Sequence, residues 1–180
     1  MTKVIPFLTA LLLLLVFPAS GMGQGRGDVL NEQEGIRVRE AQEIDWRVEV
    51  FLKIAERRLD AVAGLAPNPS KKEEENWGPA PTGTPEQLLR AYIRIIDELE
   101  AKIDDAHERN PNNPKMKKAM EKLLKASENN LTRLQQLADR VSGRDAQTAL
   151  EAAYDITRHA KDGATEYLAR QSSTGKPKSN

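Results

Sequence analysis

Apolar and polar residues alternate along most of this chain with the period of a helix. Ala41, Ile44, Val48, Phe51, Ala55, Leu59 and Val62 recur three or four residues apart and draw one stripe, which Gly64 ends. Asn31 with Glu34 makes a capping box ahead of it. Gly35 weakens the first turns and Asp45 can itself serve as a cap, so residues 32–63 read either as one long helix or as two pieces broken near Glu43 to Asp45. The Arg47-Val48-Glu49-Val50 alternation is a strand signal that the surrounding period outvotes.

Residues 65–83 hold four prolines and no sustained period, and read as a loop. Thr84-Pro85-Glu86-Gln87 then opens a helix, with threonine as cap, proline at the first helical position and Gln87 closing a second capping box. Its stripe is Leu88, Tyr92, Ile95, Leu99 and Ile103, broadened by Leu89 and Ile96. After Asn110-Pro111-Asn112-Asn113-Pro114, a heptad-like seam runs through Met120, Leu124, Ser127, Leu131, Leu134, Ala138 and Val141. Ser142-Gly143 interrupts it. A last helix carries Ala146, Ala149, Ala153, Ile156, Ala160, Gly163 and Tyr167 on its seam.

Helices of about 24 to 32 residues are roughly 36 to 48 Å long at the usual rise, and such matched lengths favour a bundle. The expected fold is all-α: a single antiparallel four-helix bundle, up-down-up-down, over residues 24–170, with a polar tail at 171–180 expected to be disordered. The two later connections are short and are expected to place consecutive helices side by side. The small residues on the last seam predict close approach of that helix to a neighbour.

The longest apolar run lies ahead of these helices. Lys3, then Val4 to Phe17, then Pro18-Ala19-Ser20-Gly21-Met22-Gly23 have the three parts of a secretory signal peptide over residues 1–23, with cleavage after Gly21 or Gly23. At about fourteen residues the run is shorter than the roughly twenty a membrane-spanning helix needs. Export to the periplasm or the extracellular space is therefore expected, with no transmembrane span. The chain has no cysteine, which excludes disulfides, thiolate catalysis, iron–sulfur ligation and a lipid anchor on cysteine. Its 27 basic and 27 acidic residues balance, and loss of Lys3 with the leader leaves a formal charge of −1. A phosphate-binding surface needs a basic surplus, so nucleic acid is not an expected partner.

Charge is nonetheless patterned. Asp97, Glu98, Glu100, Asp104, Asp105 and Glu108 crowd the end of one helix, while Lys115, Lys117, Lys118, Lys122 and Lys125 crowd the start of the next. Both placements oppose the helix macrodipole. Pairing across an antiparallel turn is the structural expectation. The functional one is a basic amphipathic face that includes Lys117, Lys118 and Lys122. Trp77, in a proline-rich context, either docks on the bundle and pins the loop or anchors a partner protein. Trp46 lies beside its stripe as a boundary core residue.

His159 shares a helical face with Asp155 and Asp162, the candidate metal ligands of a small-ligand or metal-binding bundle. His107 stands similarly near Glu100 and Asp104. The Glu-x-x-His pattern of a di-iron bundle fails, because Ile156 occupies the position before His159. Arg26-Gly27-Asp28 and the sequon Asn130-Leu131-Thr132 are short matches that carry no function. No nucleophile with a base and no glycine-rich phosphate loop is present, so no catalytic residue and no cofactor is assigned. The expected role is binding of another macromolecule, a protein or envelope component, with a homodimer open as its oligomeric state. Small-ligand or metal binding and a periplasmic holdase are the alternatives.

Overall fold

The computed structural model describes residues 29–65 and 70–174. The leader with its cleavage region, the Arg26-Gly27-Asp28 tripeptide and residues 175–180 of the tail lie outside the described residues. The described chain is all-α, with six helices and no strand: α1 Glu32–Glu40, α2 Ile44–Val62, α3 Lys71–Trp77, α4 Pro85–Arg109, α5 Met116–Leu137 and α6 Arg144–Thr174. No helix among these residues is long and apolar enough to cross a membrane.

Both expected capping boxes form. The Asn31 side chain accepts from the Glu34 amide at 2.9 Å while the Glu34 carboxylate accepts from the Asn31 amide at 3.1 Å, and Thr84 with Gln87 repeats the arrangement ahead of Pro85. Residues 32–63 are two helices, parted at 41–43. Asp45 does not cap the second; it lies in its first turn, where a carboxylate complements the helix dipole. The expected loop also contains a helix. Ser70 accepts from the Glu73 amide at 3.2 Å, the first turn is acidic, and Gly78 ends α3 at φ 71°. With seven residues, α3 is too short to show a period. At the other end, α6 continues through Gln171 to Thr174.

The four long helices pack in a ring: α2 against α4 and α5, and α6 against α4 and α5. Lys122 meets Glu49, and Arg133 meets Asp60, so α5 runs parallel to α2. Tyr92 meets Thr157 and His107 meets Tyr167, so α6 runs parallel to α4. The short connection after α4 therefore does not make α4 and α5 antiparallel neighbours, contrary to expectation; it crosses to the opposite corner. Helices about 8–10 Å apart in a square have a diagonal of roughly 14 Å, and the six residues 110–115 reach about 20 Å when extended.

Electrostatics follow this arrangement. Lys115 and Lys118 pair with Asp45 on α2 at 3.9 and 3.2 Å, and Lys122 with Glu49 at 2.5 Å. The predicted pairing with the acidic end of α4 is replaced by pairing with the start of α2. Burial alone would raise the Asp45 pKa, but the hydrogen bond from Lys118 and the charges of Lys115, Lys118 and Lys122 outweigh it and hold the carboxyl below its ordinary value.

The stripes of α2 and α4 are buried as expected, apart from the half-buried Val62. Half of the predicted seam after α4 is buried as expected, at Met120, Ser127, Leu134 and Val141; the other half shifts by one residue, with Leu123, Asn130 and Leu137 buried while Leu124 and Leu131 are half-buried and Ala138 is exposed. A helix packed against two neighbours at a corner needs a broader face than one heptad seam supplies. Burial of Asn130 also closes its sequon to modification in the folded chain. Along α6, Ala149, Ala153, Ala160 and Ala164 are buried. Ala153 is fully enclosed, so Ala153→Leu is expected to overpack this contact and cost about 1–3 kcal/mol, read as a lower melting temperature.

A polar group crosses the core. Thr157 donates its hydroxyl proton to the Ala153 carbonyl at 2.6 Å, so the Tyr92 hydroxyl, 2.8 Å from Thr157 Oγ1, donates to it. Burial pushes the Tyr92 pKa up to about 12. The unfolded chain ionises this tyrosine from its ordinary value of 10.0, before the folded chain does, so stability is expected to fall as pH rises from 10.0 to about 12. Denaturation curves across that range should show a smaller alkaline loss for Tyr92→Phe.

Candidate functional site

The two tryptophans, expected to have separate roles, flank one groove. It lies between α2 and α5, holds a volume of about 600 Å³, and is bordered by Trp46, Val50, Leu52, Lys53, Glu56, Trp77, Lys122 and Lys125. Val50 and Leu52 are buried, Trp77 is half-buried against the core, and Trp46 is 41% exposed. The boundary reading of Trp46 thus gives way to an open aromatic surface.

Trp77 is held in place by a buried network that begins with Glu34. This carboxylate is fully enclosed and meets two buried guanidinium groups, those of Arg57 and Arg58. Arg58 uses both arms, reaching Glu34 Oε1 and, at 2.7 Å, Oε2, which gives the planar fork geometry of a strong pair. Arg57 also donates to the carbonyls of Trp77, Gly78 and Pro79 at 2.8, 2.9 and 2.7 Å. Asn31, the cap of α1, donates to the Trp77 carbonyl at 2.9 Å, and Arg37 within α1 donates to the Asn76 carbonyl at 3.2 Å.

Four consecutive carbonyls, 76 to 79, are thus satisfied by side chains of α1 and α2. Gly78 is required at their centre. Its φ is 71°, and an added Cβ would stand 2.8 Å from both Asn31 Nδ2 and Gln33 Oε1. Buried charges are costly unless every lone pair and proton is used, and here the donors are used on backbone oxygens. The result is a Trp77 whose backbone is fixed from two sides.

Charge around the groove is mixed. Lys122 is held by Glu49 and by the Asp45 carbonyl at 3.0 Å, and Lys53 lies 3.8 Å from Glu73. Lys125 makes no ion pair among the described residues. Burial raises the Glu56 pKa, opposed by the charges of Lys53 and Arg133.

Of the four residues expected to bind a partner, the structure brings Trp77 and Lys122 to this groove. Lys118 is committed to Asp45, and Lys117 is exposed beside Glu121 on its own helix at 3.9 Å. The candidate metal residues do not converge. Asp155 pairs with Arg158 at 2.9 Å, Asp162 is exposed, and His159 reaches across to Glu100 on α4 at 3.2 Å. Among the described residues, no group of three or more His, Asp or Glu side chains is placed to hold a metal ion.

Sequence reasoning passed over Arg57 and Arg58. The available signal was two adjacent arginines inside a segment whose neighbours Ile54, Ala55 and Leu59 are apolar, which calls for a buried anion. Comparison of the chain with protein-family models, with curated proteins and with solved structures gives no match.

Proposed function

We propose that this protein is an exported four-helix bundle that binds another macromolecule, a protein or envelope component, through the groove between α2 and α5. The observation that carries this reading is the pair of indoles across one groove, Trp77 locked from behind by the Glu34 network and Trp46 open to solvent. Binding energy at protein interfaces concentrates in such aromatic anchors, and a preorganised anchor loses little freedom on binding. Lys125 adds an uncommitted charge at the edge, which suits a partner segment with an apolar residue next to a carboxylate. Export is supported by the three-part leader in the sequence, and no catalytic role is assigned.

The holdase reading has less support. It needs a broad apolar surface, whereas Ile36, Trp46 and Leu65 are the exposed large apolar side chains among the described residues.

Affinity capture from the exported compartment with wild-type protein and with Trp46→Ala tests the proposal. The variant is expected to keep a melting temperature within a few degrees of wild type and to bind the captured species about thirtyfold more weakly. Equal capture by both proteins contradicts the assignment.

A further inference from the structure

A second groove opens where α4, α5 and α6 meet, around both histidines of the chain. From its geometry we infer that it is a binding site for an organic ammonium ion carrying an apolar body. Its volume of about 420 Å³ is of the size that takes a small organic ligand. The floor is apolar and comes from three helices, with Ile103, Met116, Met120, Leu123, Ala160 and Ala164 all buried. Gly163 keeps the space open: a Cβ built there meets nothing within 4 Å. Methionine side chains adapt to varied ligand shapes.

The edge is anionic. Glu100 and Asp104, one turn apart on α4, both border the groove. The Glu100 side chain is 24% exposed, and its partner is His159, which is cationic only when protonated. Asp104 makes no ion pair among the described residues. Among the described residues the guanidinium at this edge is that of Arg170, which lies 3.2 Å from Glu166. Burial raises the Glu100 pKa against the hydrogen bond and charge of His159. Along one wall His107 and Tyr167 meet edge to face, with ring centroids 6.1 Å apart at 87°, and aromatic faces attract ammonium groups. An apolar floor below two under-neutralised carboxylates and an aromatic wall fits a cationic head on a hydrocarbon body. It disfavours an anion and gives a neutral alcohol no electrostatic advantage.

Calorimetric titration of the purified protein with hexyltrimethylammonium, and separately with hexanol and hexanoate, tests the inference. The ammonium ion is expected to bind with one-to-one stoichiometry, at least about tenfold more tightly than either control. Glu100→Gln or Asp104→Asn should weaken it about five- to tenfold. Gly163→Leu, placed in open space and checked for an unchanged melting temperature, should block it.

The inference is overturned by absence of binding up to about 10 mM, by hexanol binding as tightly as the ammonium ion, or by indifference to Gly163→Leu. A dimer abolished by Gly163→Leu would overturn it too, showing that a second copy of the chain covers the groove.

Discussion

Glu34→Ala is expected to destabilise the protein by about 3–5 kcal/mol, because it leaves two enclosed guanidinium groups without their shared anion. The cost exceeds that of a lost surface ion pair, which is about 0–1 kcal/mol, since neither arginine can regain water while the fold persists. Two links beyond the pair strengthen the effect. Glu34 also closes the capping box of α1, and Arg57 spans Glu34 and the carbonyls that position Trp77. Equilibrium denaturation of wild type and variant measures the loss.

Limited proteolysis gives a second readout, because residues 70–84 should become cleavable before global unfolding. Replacing all three charges together, as Glu34→Leu with Arg57→Met and Arg58→Met, should recover much of the stability, since desolvation of the charges disappears with the charges. A loss below about 1 kcal/mol for Glu34→Ala would show that this network does not hold the loop.

Asn130→Asp is expected to cost a similar amount at neutral pH. Asn130 is 1% exposed and its amide makes no well-formed hydrogen bond; the polar group beside it is the Tyr92 hydroxyl, whose proton goes to Thr157. A carboxylate at that position would be buried without a counter-ion, at a cost of about 3–5 kcal/mol. The sign of its pH dependence is fixed. Burial would raise the introduced carboxyl's pKa in the folded state, so the penalty is full above that raised value, shrinks as pH falls from it toward the ordinary aspartate value of about 3.9, and is gone below that.

Asn130→Val, which removes both unpaired atoms, should be neutral or stabilising. Denaturation midpoints at neutral and acid pH for both variants decide the matter. A small, pH-independent loss for Asn130→Asp would mean that water reaches the core at this position.

How far the residues announce this structure differs from element to element. The stripes of α2 and α4 are legible because each is broad and apolar, and the capping boxes are legible because they use a fixed three-residue spacing. The exact core face of α5 is not. Ser127 is buried where the local period puts it, whereas Asn130 points inward for reasons set by the neighbouring helices. The ring order is hidden for a related reason. A six-residue connection suits both an adjacent helix and a diagonal one, and the deciding ion pairs join residues more than seventy positions apart, Asp60 with Arg133 and Glu49 with Lys122. Trp77 stands out in the sequence as a large aromatic among prolines. That Trp46 faces the same groove emerges only from the packing of α2, α3 and α5.

Site-specific photo-crosslinking in the native cells tests the proposed binding role of the groove between α2 and α5 most directly. A benzoylphenylalanine in place of Lys125 would sit at the groove, and one in place of the exposed Glu151 on α6 would serve as control. A discrete adduct of higher mass is expected from position 125, none from position 151, and loss of the first when Trp46→Ala is added. Absence of an adduct at 125, equal labelling at both positions, or an adduct that persists without Trp46 would contradict it.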